Sequence, residues 1–256
     1  MSASARKLYI ITGASRGLGA ALAGLLIDPA HRLVCMARAP LPALQARAVA
    51  ANCEFASVTV DLCDVAAAVA ALESALAGVT PGDYSEICLI NNAGTVLPIK
   101  PAEKIRAEEI MTSVTVNLAA PMALTAAFLR LTADWPAGLR KVVNLTSGAA
   151  QKPYQGWSVY CATKAALDQF SRCVALEQAD LANGARIAAL APGMIDTGMQ
   201  AEIRAVPAED FKEQSRFLAL KQAGALATPE AAGRRLISHL QGDDFGAQTI
   251  VDLRHA

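Results

Sequence analysis

Tyr160 and Lys164 stand four residues apart in the run Tyr160-Cys161-Ala162-Thr163-Lys164, a spacing that sets a phenol and an ammonium on one face of a helix. A neighbouring cation stabilises phenolate, so the pair can exchange a proton near neutrality although an isolated tyrosine titrates near about 10. Moving that value to about 7 requires about 4 kcal/mol of differential stabilisation, within reach of two nearby positive charges. Ser147 lies thirteen residues upstream and ends the run Val142-Val143-Asn144-Leu145-Thr146. Its hydroxyl beside Tyr160 would be a second donor to a carbonyl oxygen, and two donors polarise a carbonyl better than one.

A second constellation stands near the start. Thr12-Gly13-Ala14-Ser15-Arg16-Gly17-Leu18-Gly19 follows an apolar run and leads into a helical pattern. Glycines in such a turn let backbone N–H groups and a helix N-terminus approach a pyrophosphate with no Cβ in the way. Gly13, Ser15, Arg16, Gly17, Leu18 and Gly19 are therefore candidate dinucleotide contacts. The next strand ends Met36-Ala37-Arg38, and no Asp or Glu occurs from Pro29 through Cys53. An acid at that strand end would accept hydrogen bonds from a ribose 2′-hydroxyl. Arg16 and Arg38 would instead grip a 2′-phosphate, so the expected cofactor is NADP(H). The plainer reading of Arg38 is a solvated arginine at a strand end.

These groups need a scaffold, and the chain supplies an alternating one. Aliphatic or β-branched runs over 8–12, 32–37, 54–60, 86–91, 141–146, 186–190 and 249–253 read as seven strands. Between them, 17–27, 41–51, 64–77, 102–130, 157–181 and 228–241 read as helices of crossover length. The alternation predicts an α/β, doubly wound Rossmann fold: a seven-stranded parallel sheet with helices on both faces. No linker-like stretch divides the 256 residues, so one domain over 1–256 is expected. The segment at about 193–226 is too long for a plain connection. It carries Met194, Met199, Phe211 and Phe217 among charges, and one or two short helices covering the substrate are expected there.

Composition narrows the partners. A chain that is 54% hydrophobic, 18% charged and 5% aromatic is neither disordered nor fibrous. The 23 Lys+Arg cancel the 23 Asp+Glu, which removes the electrostatic footprint of a nucleic-acid or anionic-membrane binder. Six cysteines without a CxxC pair read as reduced core thiols. His31, His239 and His255 share no ligand-like spacing, so no metal is expected. The first apolar run stops at Gly13, too soon for a signal or membrane segment. The expectation is a cytoplasmic chain with a small-molecule carbonyl substrate, no nucleic acid and no membrane.

The TGxxxGxG spacing, followed by Asn91-Asn92-Ala93-Gly94 and Tyr160-xxx-Lys164, resembles the short-chain dehydrogenases/reductases, and the resemblance spans the chain. It implies further roles. Asn92, Ala93 and Gly94 would border the adenosine side of the cofactor, and Asp61-Leu62 matches the adenine-contacting pair. Asn117, in Val114-Thr115-Val116-Asn117, matches a fourth catalytic position that holds a water linking Lys164 to solvent. Tyr160 and Lys164 would also border the nicotinamide ribose, and the positive oxidised ring would be the second charge acting on the phenol. Pro192-Gly193-Met194-Ile195-Asp196-Thr197 resembles the segment in which Pro192, Gly193, the backbone at Ile195 and the Thr197 hydroxyl hold the carboxamide.

Local stretches are similar to the sepiapterin-reductase and benzil-reductase branch: Gly156-Trp157-Ser158-Val159-Tyr160-Cys161-Ala162, Asp196-Thr197-Gly198-Met199-Gln200, and Phe245-Gly246-Ala247 to Val251-Asp252. This implies an NADPH-dependent carbonyl reductase acting on a ketone or α-dicarbonyl, with Tyr160 as proton donor, Ser147 orienting the oxygen, and Lys164 and Asn117 completing the proton path. Asp252 would anchor the guanidine-like edge of a pterin, or be an exposed strand-end charge. Tyr154 and Trp157 would stack on a flat ring that Met199 closes from the other side. The tail Leu253-Arg254-His255-Ala256 departs from the aromatic, acidic ending of animal sepiapterin reductases, which leaves a broader dicarbonyl reductase as an equal reading. The alternatives are a 3-ketoacyl or sugar dehydrogenase of the same family, and a non-catalytic NADP-binding sensor. The resemblance further implies a homodimer, or a tetramer, built on helices 102–130 and 157–181. Ala165, Ala166, Phe170 and Val174 offer apolar positions on the second of these.

Overall fold

The computed structural model describes residues 6–135 and 139–255. Its strands are β1 Lys7–Thr12, β2 His31–Ala37, β3 Glu54–Thr59, β4 Glu86–Asn91, β5 Leu139–Leu145, β6 Arg186–Ala191 and β7 Ile250–Asp252. All seven are parallel, in the order β3-β2-β1-β4-β5-β6-β7. The central strands are apolar on both faces because both faces are covered. In β1, Tyr9 and Ile11 join one core while Leu8 and Ile10 join the other. The first core is closed by α1 (Gly17–Leu25), α2 (Pro42–Ala50) and α9 (Pro229–Gln241). The second is closed by α3 (Val65–Leu76), α5 (Ala120–Leu131) and α6 (Ser158–Ala179). Strand order reverses between β1 and β4, and a cleft opens at the carboxyl ends of such strands.

The helix expected over 102–130 is interrupted. A 3-10 turn, Ala102–Lys104, precedes α4 (Ala107–Val114), and a π-helical turn, Thr115–Ala119, joins α4 to α5. Glu109 opens α4 by accepting the Arg106 backbone N–H at 2.9 Å, which satisfies one of the donors a helix start leaves unpaired. The widened turn carries Asn117, and periodicity has no signature for it. By length and composition the continuous stretch Ala107–Leu131 would pass for a membrane span. Here its Ala120, Leu124, Ala127 and Phe128 are buried against the sheet.

The 193–226 segment forms two helices, α7 (Gly198–Ala205) and α8 (Gln214–Gln222). Phe211 and Phe217 are buried with Trp157. The excursion starts and ends at one neck, where Ile195 bridges Ala227 and Asp196 N–H donates to the Ala227 carbonyl at 2.9 Å. The reading of the cysteines as core thiols needs correction. Cys35, Cys53 and Cys88 are buried, but Cys63 and Cys173 are exposed, the first in the turn after β3 and the second on the outward face of α6. On the same helix Val174 and Phe170 pack on the sheet, so neither offers an outward apolar position.

Phe128 is fully buried between α5 and the sheet. Phe128→Ala should lower stability by about 3–5 kcal/mol, read as a drop in the urea midpoint at unchanged slope.

Candidate active site

The turn after β1 is defined by how closely backbone meets backbone. A Cβ on Gly19 would lie 2.2 Å from the Gly13 carbonyl oxygen, and one on Gly13 would lie 2.9 Å from Ala93 Cα. The carboxyl end of β4 locks into this turn. Asn92 Nδ2 donates to the Thr12 carbonyl at 2.9 Å and to the Gly13 carbonyl at 3.3 Å, while Thr12 Oγ1 accepts from Asn92 N at 3.0 Å and Ala93 N at 3.1 Å. The Asn92 amide therefore holds the turn itself. Helix α1 begins directly behind it with Arg16 as N-cap and no side chain capping its amides, so the first-turn N–H groups are available to an anion.

A cleft of about 750 Å³ runs from this turn across the carboxyl ends of the strands. Gly13, Ser15, Arg16, Gly17, Leu18, Gly19, Arg38, Asp61, Leu62, Asn92, Ala93 and Gly94 line it, as do Pro192, Gly193, Ile195 and Thr197. Ser147, Tyr154, Trp157, Tyr160, Lys164, Met199 and Asp252 line the same cleft. Asn117 is the one expected site residue not on its wall. It is fully buried, with Oδ1 accepting from Thr95 N at 2.8 Å and Nδ2 donating to the Thr95 carbonyl at 2.8 Å. That leaves its side chain a brace for the loop after β4. At the β2 end Arg38 is exposed and makes no ion pair among the described residues, whereas Arg16 reaches Glu202 at 3.6 Å.

Ser147 follows β5 in extended backbone, and its Oγ accepts from Ala149 N at 3.1 Å. Ser147 acts to lower the Tyr160 phenol, yet burial outweighs it and raises Tyr160 above the ordinary tyrosine value. The lowering expected from Lys164 is not produced by the protein alone. Lys164 Nζ lies 5.9 Å from the Tyr160 ring centroid and donates to the Leu145 carbonyl at 2.7 Å, so the ammonium faces the strand end and the ring rather than the hydroxyl. Burial brings Lys164 itself down to about 8, with Asp168 opposing the fall. Asp168, one turn further along α6, is also buried, and its Oδ2 accepts from Gln151 Nε2 at 2.9 Å.

At the other end of the cleft Trp157 is enclosed, not displayed as a stacking platform. It packs against Phe211 at 4.6 Å between centroids and meets Tyr154, Tyr160 and Phe217 edge-on. The half-buried Met199 packs against this cluster. Asp252 does not present a free carboxylate: Arg254 Nε donates to Oδ1 at 2.9 Å and Oδ2 at 3.1 Å, and Nη2 also donates to Oδ2. Arg254 lies in the turn just past β7, where Asp252 Oδ1 also accepts its backbone N–H at 3.0 Å, and an aspartate two residues before an arginine at a strand end was the available sign of this pair. Thr12, Thr95, Asp168 and Arg254 are the site residues that motif reading missed.

A family model described as short chain dehydrogenase matches residues 7–208. Benzil reductase ((S)-benzoin forming) of Bacillus cereus is 40% identical over 241 residues, covering 93% of this chain and 96% of its own. Sepiapterin reductase of Bos taurus is 31% identical over 258 residues, covering 96% and 94%. Among solved structures the KRED1-Pglu enzyme superposes with a TM-score of 0.80 at 27% identity, over 96% of this chain and 100% of that one.

The buried ammonium has a consequence for stability. Its folded value of about 8 lies below the ordinary 10.5, so between these the unfolded chain binds the extra proton and stability rises with pH. Relative to Lys164→Met, the native protein should gain about 2 kcal/mol as pH goes from about 8 to about 10. Denaturant titrations of both proteins check this, and parallel stability curves would show that Lys164 is solvated.

Proposed function

Since the chain belongs to the short-chain dehydrogenase family and is an oxidoreductase acting on C=O or CH–OH groups, we propose that it is an NADPH-dependent reductase of aromatic or planar α-dicarbonyls. The observation that carries this reading is one cleft with a glycine turn and Arg38, which makes no ion pair among the described residues, at one end and Ser147 and Tyr160 together on the wall towards the other. The absence of a Cβ at Gly13 and Gly19 lets the turn close against Ala93 and the Gly13 carbonyl, a tight turn before a helix N-terminus that suits a dinucleotide pyrophosphate. When bound, the reduced nicotinamide supplies a hydride equivalent. The α1 N-terminus and Ser15 would take the pyrophosphate, Arg38 the 2′-phosphate, and Ile195 and Thr197 the carboxamide.

Ser147 and Tyr160 direct their hydroxyls at the substrate oxygen, and Tyr160 gives that oxygen its proton as the carbonyl carbon is reduced. Burial keeps the phenol protonated, so the proton is in place, and negative charge developing on the substrate oxygen draws it across. Lys164 is the nearby group through which the proton is restored, and Asn117 fixes the adjoining loop through Thr95. The substrate end is apolar, lined by Val96, Leu97, Trp157, Met199, Ile203 and Phe217. Such a wall suits flat aromatic ketones. Identity to benzil reductase supports the same substrate class, and the occupied Asp252 carboxylate speaks against a pterin anchored there. The protein pairs as a homodimer through α4, α5 and α6, a reading supported by the exposed Ile110, Met111, Met122 and Leu176 on them.

NADPH consumption in the presence of benzil tests the activity. Tyr160→Phe should lower kcat by at least about 100-fold while NADPH still quenches the protein fluorescence. Arg38→Ala should lower kcat/KM for NADPH by about 10–100-fold and leave NADH kinetics nearly as before. Equal losses with both cofactors would remove Arg38 from the 2′-phosphate site.

A further inference from the structure

We propose that Arg254 determines substrate class: held in place by Asp252, it offers its remaining guanidinium donors to the second carbonyl of an α-dicarbonyl whose first carbonyl sits on Ser147 and Tyr160. The proposal rests on the reductase reading above.

Arg254 and Asp252 both line the catalytic cleft. The pair is made along one guanidinium edge: Nε and Nη2 donate to the carboxylate, and the Arg254 backbone N–H donates to Oδ1 at 3.0 Å. Nη1 makes no hydrogen bond among the described residues, so its donors stay available. A planar fork fixed on one edge presents the other edge in a defined direction at little further entropic cost. Neighbouring glycines locate that edge. The Arg254 stem passes Gly193, where a Cβ would stand 3.1 Å from Arg254 Cγ, and its end lies over Gly148, where a Cβ would stand 3.7 Å from Nη2. Gly148 directly follows Ser147, so the guanidinium lies one residue from the hydroxyl that holds the reacting oxygen. It is exposed, at 45%.

Charge complementarity sets which ligand chemistry this corner accepts. Asp252 is held below the ordinary carboxylate range by Arg254, and its acceptors are occupied. The corner therefore repels a donor-rich cationic edge and attracts an acceptor such as a carbonyl oxygen. Arg16 and Arg38 stand at the glycine-turn end of the cleft and Lys164 donates to the Leu145 carbonyl, which leaves two other cations on its wall. Arg216 is paired with Glu213 at 3.1 Å, and Lys152 is exposed, so Lys152 is the rival donor.

The test compares benzil with deoxybenzoin, which keeps both rings and one carbonyl but has a methylene in place of the second. Arg254→Met keeps the stem and removes the donors. The ratio of kcat/KM for benzil to that for deoxybenzoin should fall at least about tenfold, the value of one charge-assisted hydrogen bond. If deoxybenzoin binds without turnover, the ratio of its inhibition constant to the benzil KM serves in the same way. Lys152→Met should leave the ratio within about twofold. An unchanged ratio in Arg254→Met, or a fall in Lys152→Met alone, overturns the proposal. NADPH quenching shows that each variant is folded. Failure of the native protein to oxidise NADPH with either ketone would overturn the reductase reading instead, and is read separately from the ratio.

Discussion

Everything at the carboxyl edge of the sheet depends on one approach of backbone to backbone, the seating of the turn after β1 against the end of β4. The clearance there is smaller than a methyl group, and Thr12 and Asn92 hold it closed through four hydrogen bonds. Because β1 and β4 are adjacent only where the strand order reverses, the tight contact and the opening of the cleft are one geometric fact. Crossovers diverging to opposite faces leave the crevice, and the glycines let a dinucleotide lie in it without losing contact with the helix behind.

The second constraint is electrostatic. A phenol and an ammonium on adjacent turns of α6 are both buried, and burial acts on them in opposite senses, disfavouring the charged form of each. The phenol rises and the ammonium falls. At neutral pH the protein alone thus keeps the phenol protonated and the ammonium mostly charged, and a positively charged ring beside them is what would favour phenolate.

Much of this was legible in the sequence, for identifiable reasons. The strands were readable because both-face burial leaves continuous aliphatic runs such as Leu33-Val34-Cys35-Met36, and the turn because glycine positions carry their own geometry. The expected cleft residues came together, with Asn117 behind the wall. What stayed hidden depends on three-dimensional partnership. The π-helical turn at Thr115–Ala119 comes from the fit of Asn117 to Thr95, which no periodicity encodes. Trp157 looked like a stacking surface because tryptophan is flat, but Phe211 and Phe217 arrive from fifty residues or more downstream to enclose it. Asp252 looked available because a motif does not show what its neighbour's side chain does.

The cover formed by α7 and α8 leaves and rejoins the sheet at a single neck, Ile195 against Ala227, so its interior is free to vary without disturbing strand register. A chain built this way can vary the outer surface of its cover while Thr197 at the neck and the packing of Phe211 and Phe217 on Trp157 stay in place. Divergence in selectivity can therefore proceed in this cover rather than by gradual remodelling of the open parallel sheet beneath it.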